Sequence, residues 1–360
     1  MPPLPLAHLP ALVAHFGPSV DAETCRSYAG RVFREIPLFT LDDLEAALGL
    51  VHRHLPPTPQ YRWPLLVEAA GCELWVKHEN HTPTGAFKIR GGLVYMDRLR
   101  RERPEVRGVV SATRGNHGQS IALAGKRAGL KVTIVVPESN SVEKNRAMRA
   151  FGATLVEHGA DFDVARDHAG RLADETGALL VPSFDPGLVL GVATYALELF
   201  RAAGELDAVY VPIGMGSGIC GLIRTRDLLG LRTEIVGVVA AGAPAYARSV
   251  AAGRVVTTET ARTFADGMAC RVPHPAALEA IRTGAARVIE LEEASIAAAM
   301  RLYFAATHNV AEGAGAAPLA GLLQERERMA GKRVGVILCG GNVDTEVFAQ
   351  VLAGAVPQPF

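Results

Sequence analysis

At 360 residues, 49% of them hydrophobic, the chain is long enough for a large core and two lobes. Its 37 basic and 37 acidic residues cancel, so net charge favours neither nucleic acid nor an anionic membrane as a partner. Five scattered cysteines, Cys25, Cys72, Cys220, Cys270 and Cys339, form no CxxC pattern and read as reduced thiols of a cytoplasmic protein rather than a disulfide scaffold. Residues 1–17 are apolar, broken by prolines and without a basic start, which reads as an extension and not a signal peptide. No unbroken apolar run of about 20 residues predicts a membrane span.

The first unusual stretch is HTPTGAFKIRGG, residues 81–92, where Lys88 sits between a Thr-Pro-Thr-Gly turn, Phe87 and a glycine pair. An idle surface lysine does not need that setting. A lysine that forms a Schiff base needs partial burial, which lowers its pKa and frees the neutral amine. Only six lysines occur in the chain: Lys77, Lys88, Lys126, Lys131, Lys144 and Lys332.

From there strands and helices alternate. Residues 107–113, 131–137, 154–159 and 178–183 read as strands, with helices predicted at 116–130, 141–153 and 161–176 between them. Further strands are predicted at 208–214, 234–240 and 333–340. Such alternation argues for an α/β protein of mostly parallel sheets flanked by helices. Residues 108–185 read as a small lobe, and 1–107 with 186–360 as a larger one. Ligands in open α/β sheets sit beyond the carboxyl ends of strands, so the turns there are the places to search.

Three of those turns carry candidate chemistry. In SATRGNHGQS (111–120), Thr113, Arg114, Asn116 and His117 lie at a strand-to-helix junction, which can serve either as a plain helix cap or as a carboxylate site. In VPIGMGSGICG (211–221), Gly214, Met215, Gly216, Ser217 and Gly218 follow a strand and open a helix, an arrangement suited to phosphate. A dinucleotide site is the rival there, but it wants an acid ending the next strand, and EIVGVVAAGA (234–243) has none. In LCGGNVD (338–344), Cys339 ends a strand and reads as a buried thiol on residue type alone.

Taken together, these segments resemble those of the fold type II pyridoxal-phosphate enzymes, and within them the serine/threonine dehydratases. KHENHTPTGAFKIRGG resembles their cofactor-lysine segment, SATRGNHGQSIA their asparagine loop and VPIGMGSGICG their phosphate loop. FADGMA (264–269), AEGAGAAPLAGLL (311–323) and LCGGNVD resemble three more segments, in the same order, over roughly residues 75–345. The resemblance implies the two-domain, tryptophan synthase β-like fold, with 108–185 as the smaller, mobile, carboxylate-binding domain. It implies that Lys88 holds pyridoxal phosphate as a Schiff base, that Phe87 packs against its ring and that Asn116 binds its ring hydroxyl. Gly214 to Gly218 would cradle the phosphate, Cys339 would face the pyridine nitrogen, and Glu312 would stand nearby. Thr113, Asn116 and His117 would grip a substrate carboxylate.

The implied reaction is loss of water and ammonia from a β-hydroxy amino acid, L-threonine or L-serine, by an ammonia-lyase that is usually a homodimer. A β-replacement synthase remains the alternative outcome. Three departures bear on specificity. Met215 and Ser217 stand where dehydratases often carry glycine, and neither loses the N–H that phosphate needs. Arg114 replaces the serine that the family's racemases use as a base; an arginine stays protonated and cannot take that role. It is read either as a holder of a second carboxylate, as in 3-hydroxyaspartate, or as turned to solvent or a nearby acid. Residues 238–249 lack the acids with which some members bind a divalent cation, so no metal is expected there. The short stretch after residue 344 suggests no amino-acid-sensing regulatory domain.

Overall fold

The computed structural model describes residues 39–160 and 162–359; the extension read at 1–17 and Cys25 lie outside them. The described residues form ten strands: β1 (Gln60–Tyr61), β2 (Glu73–His78), β3 (Gly108–Ala112), β4 (Lys131–Val136), β5 (Thr154–Glu157), β6 (Leu179–Leu180), β7 (Ala208–Pro212), β8 (Glu234–Ala240), β9 (Arg287–Leu291) and β10 (Arg333–Leu338). They form two sheets, ordered β1-β2-β10-β7-β8-β9 and β5-β4-β3-β6. Every pairing between them is parallel except that of β1 with β2. Parallel strands are covered on both faces, which explains why β7, β8 and β10 are almost continuously apolar.

The four-stranded sheet is drawn wholly from residues 108–180. Sequence alternation located β3, β4, β5, β7, β8 and β10, but 178–183 shrinks to the two-residue β6, a short edge paired only with β3. The sequence reading passed over β1, β2 and β9. In β2 the cause is plain: Lys77 and His78 are fully buried, so its inner positions look polar. β9 is an edge strand with only Leu291 buried, and its Arg and Glu mask the pattern.

The helix Lys88–Glu102 lies between the two sheets' helical layers. Its apolar side chains Ile89, Leu93, Met96 and Leu99 share a core with Val109 and Val132 of the four-stranded sheet. Gly91 faces the helix Pro186–Ala203, where an added Cβ would come within 2.7 Å of the Leu188 carbonyl oxygen. Gly92 faces the helix Asn116–Arg127, where a Cβ would collide with the Ser120 hydroxyl. Each glycine of the pair therefore serves one neighbour, and together they let one helix touch both sides.

Candidate active site

Three of the sequence motifs are knitted together by backbone. Ala86 pairs with Gly340 in an antiparallel bridge. The N–H of Phe87 donates to the Cys339 carbonyl at 2.9 Å, and that of Glu312 to the Gly340 carbonyl at 3.1 Å. Lys88, Cys339 and Glu312, 251 residues apart at the extremes (339 − 88), thus meet at the carboxyl end of β10.

Lys88 is the first residue of its helix, and its Nζ donates to Ser217 Oγ at 3.0 Å. Burial pushes the Lys88 amine down to about 8, with the nearby Cys339 pulling weakly the other way. A useful share of the amine is therefore neutral near pH 7–8, as a Schiff-base lysine requires. The amine lies 5.0 Å from the Phe87 ring centroid, and Phe87 packs edge-on against Tyr195. The Cys339 thiol is buried and its pKa is driven far up, chiefly by that burial and then by Glu312, so it stays neutral.

The loop Gly214–Gly218 follows β7 and opens the 12-residue helix Ser217–Leu228. Gly216 has φ +99°, the left-handed region that side chains other than glycine rarely adopt, and an added Cβ would also press on Ala277. Tyr246 donates to the Met215 carbonyl and Tyr195 to the Gly218 carbonyl, each at 3.0 Å. With carbonyls tied down, the N–H groups of Gly214 to Gly218 are left without hydrogen-bond partners among the described residues. Five such donors at a helix start make a phosphate cradle.

The junction at 113–117 is built differently. Thr113 Oγ1 accepts from the N–H groups of Gly115 and Gly118, at 3.0 and 3.3 Å, which shapes the turn and leaves its own hydroxyl proton to give. The buried His117 ring turns inward to Ser111 Oγ at 3.2 Å. Burial, with Lys88 adding to it, pushes His117 down to about 3, so its ring is neutral and its backbone N–H is the part that can face a ligand. Asn116 is held from the opposite sheet: its Nδ2 donates to Glu312 Oε1 and its Oδ1 accepts from Asn342 Nδ2, both at 2.7 Å. Arg114 is half-buried and lines the cleft between the sheets together with Lys144, Asp266 and Glu312.

Lys144, Asp266 and Asn342 were not singled out from the sequence. FADGMA did mark the neighbourhood of Asp266, and LCGGNVD that of Asn342. Lys144 carried no local signal, being one polar residue in an exposed-looking helix. Lys144 Nζ and Asp266 Oδ2 form an ion pair across the cleft. Glu312 is buried, and its Oε2 has no hydrogen-bond partner among the described residues. Burial, reinforced by Asp266, pushes the Glu312 carboxyl up to about 8, while Lys144 and Asn116 pull it down.

A lowered-pKa amine touching an anion-binding helix start defines a site for a cofactor that carries both a carbonyl and a phosphate. The sequence pattern described as "Pyridoxal-phosphate dependent enzyme" matches residues 51–340, and the chain belongs to that family. An L-threonine ammonia-lyase of Thermotoga maritima is 32% identical over 316 residues, 88% of this chain and 78% of that protein. An L-threo-3-hydroxyaspartate ammonia-lyase of Saccharomyces cerevisiae is 30% identical, over 89% of this chain and 98% of the other. A crystal structure of a pyridoxal 5'-phosphate-dependent aspartate racemase aligns with a TM-score of 0.81 at 30% identity, covering 85% of this chain and 97% of that one. The fold is accordingly that of the fold type II enzymes, as the motifs implied, and pyridoxal phosphate is the cofactor. The residues present fit it: five unpartnered N–H groups for the phosphate, an amine for the carbonyl, and a neutral thiol rather than a carboxylate near that amine.

Proposed function

We propose that the protein is an ammonia-lyase that converts a β-hydroxy amino acid, L-threonine or L-serine, to a 2-oxo acid and ammonia by α,β-elimination. The observation that carries this reading is the Lys88 amine, 3.0 Å from Ser217 Oγ and depressed to about 8, beside a thiol that stays neutral. The ammonia-lyase names of the relatives support it. Pyridoxal phosphate, when bound, supplies an electron sink for the substrate α-carbon. Lys88 Nζ would hold it, and the free Lys88 amine would take the α-proton. The N–H groups of Gly214, Met215, Gly216, Ser217 and Gly218, with the Ser217 hydroxyl, bind its phosphate. Phe87 would bound one side of the cofactor, and Cys339, being neutral, would offer it no strong acid partner, which suits elimination over long-lived carbanions. Asn116, fixed by Glu312 and Asn342, presents its remaining amide hydrogen toward the ring. Thr113 and the backbone of Asn116 and His117 take the substrate carboxylate.

Arg114 argues against racemisation, because a guanidinium does not deprotonate to serve as the second base. A second reading, 3-hydroxyaspartate as substrate, is supported by Arg114, which lines the cleft, and by the L-threo-3-hydroxyaspartate ammonia-lyase among the relatives. We place the enzyme in the cytoplasm as a homodimer that takes only this small substrate, with residues 108–185 as the smaller domain and 1–107 with 186–360 as the larger. No described helix is long and apolar enough to cross a membrane.

The test is 2-oxo acid release by the cofactor-loaded protein from L-serine, L-threonine and the 3-hydroxyaspartate isomers. Release from threonine or serine is expected, and Lys88→Ala should remove it while phosphate binding survives. Full activity in Lys88→Ala would refute the mechanism. Release from hydroxyaspartate alone would assign Arg114 a carboxylate.

A further inference from the structure

The 113–117 turn does not stand on its own sheet alone. Beneath it runs the side chain of Lys144: a Cβ added to Gly115 would come within 3.1 Å of Lys144 Cδ. Lys144 belongs to the helix Val142–Ala150 beside the four-stranded sheet, and its ammonium pairs with Asp266, on the segment that follows the other sheet's β8. Both side chains are largely buried, at 10% and 18% exposed. Burial works against the Lys144 charge, but Asp266 and Glu312 more than offset it and hold its pKa above that of an ordinary lysine. Two further cross-links stand beside it, Ser141 Oγ to Asp344 Oδ1 at 2.5 Å and the Thr345 N–H to Glu143 Oε1 at 3.1 Å. The turn is also held across the cleft through Asn116, bonded to Glu312 and Asn342 at 2.7 Å; of the links made by the helix Val142–Ala150 and its cap, only that of Lys144 also packs against the turn.

We infer that Lys144 and Asp266 are positioning residues: their ion pair fixes the 113–117 turn across the cleft, in register with Lys88, so that a bound substrate carboxylate places its α-carbon before that amine. This rests on the reading of 113–117 as the carboxylate-binding turn. Among the described residues no side-chain hydrogen bond or ion pair joins either residue to Lys88 or the phosphate loop, although Gly267, beside Asp266, packs its carbonyl against Gly214. Losing the pair leaves the chemistry intact but lowers the fraction of molecules competent to bind. Apparent affinity falls in proportion to that fraction, so a competent population cut to about a tenth raises KM about tenfold.

The experiment compares kcat and KM of the holoenzyme with Lys144→Met, Asp266→Asn, the double variant and Lys144→Arg, on the substrate found above, with cofactor absorbance recorded for each. Each single change should raise KM about tenfold with a smaller loss in kcat and full cofactor loading. The double variant should be little worse than either single one, because coupled residues are not additive. Lys144→Arg, which keeps the charge, should recover much of the lost affinity. Unchanged KM, independent effects that multiply, or no recovery in Lys144→Arg would overturn the proposal. If Lys144→Met does not fold, Asp266→Asn and Lys144→Arg decide it alone by the same KM criterion. Thr113→Val, which removes the one side-chain hydroxyl assigned to the carboxylate, separates the two levels. If it leaves KM unchanged, the carboxylate turn is misassigned; if it raises KM while Lys144→Met does not, only the positioning role fails.

Discussion

Two groups of buried charges flank Lys88, and they are built on opposite principles. Behind it, Arg90 is fully buried and makes forked hydrogen bonds to Glu79 and Glu198, at 2.7–3.0 Å. Lys77 adds a bond to Glu198 at 2.5 Å and Thr58 closes onto Glu79 at 2.6 Å. Two cations meet two anions, and every carboxylate oxygen has a donor. Burial alone would raise Glu198, yet Arg90 and then Lys77 hold it at about 2. In front, Lys144 faces two carboxyls, Asp266 and Glu312, and one Glu312 oxygen has no donor among the described residues. The rear group is saturated and holds the Lys88 helix in place. The front group leaves Glu312 under-bonded, and burial favours its protonated form, which is tolerable only where a site needs adjustable groups.

The largest expected effect comes from breaking the saturated group. Arg90→Met should leave Glu79 buried with only the Thr58 hydroxyl and take two donors from Glu198, costing about 3–5 kcal/mol of stability, read as a lowered urea midpoint. A loss comparable to that of a surface substitution would show that the rear group is not a unit.

Glu312→Gln should cost less, on the order of 1 kcal/mol, since an amide replaces a neutral carboxyl of the same shape. It sharpens the contrast through pH. The folded pKa of Glu312, about 8, lies above its ordinary value of 4.5. The folded state therefore binds more protons than the unfolded state between those values, and stability falls as pH rises through that window. The variant should lose this part of the slope between about pH 4.5 and 8 in thermal unfolding. An unchanged slope would mean that Glu312 is ionised throughout.

The smallest effect belongs at the rim of the rear group. His52, 31% exposed, bonds Glu198 at 2.9 Å, but Glu198 keeps Arg90 and Lys77 without it. His52→Ala should cost less than about 1 kcal/mol by the same unfolding measurement. A loss as large as that of Arg90→Met would extend the saturated group to the surface.

What the sequence made legible follows the reach of each interaction. Lys88 and the loop Gly214–Gly218 were readable because a strand, a glycine turn and a helix start are all local. The sheets were readable where strands are buried on both faces and hence apolar. β2 was not, because Lys77 and His78 are buried in company supplied by Glu198 and Trp63, and nothing beside them in sequence announces those partners. Lys144 was invisible for the same reason: its partner Asp266 lies 122 residues away. Asn116 was placed at the site by its motif, but its clamp by Glu312 and Asn342 spans 196 and 226 residues.

The helix Lys88–Glu102 has a consequence for how the chain can be cut. Sheet membership would draw the border of the smaller unit at residue 108. A fragment of residues 108–185 would leave behind Ile89, Leu93, Met96 and Leu99, which fill the same core as Val109, Ile121 and Val132. Expressed alone, it would carry an open apolar trough where that helix belongs and would aggregate or stay unfolded. That core runs back through the helix Lys88–Glu102 to Ala47, Leu50, Val51 and Leu55, so the border that the sheets suggest is not the border that the core obeys.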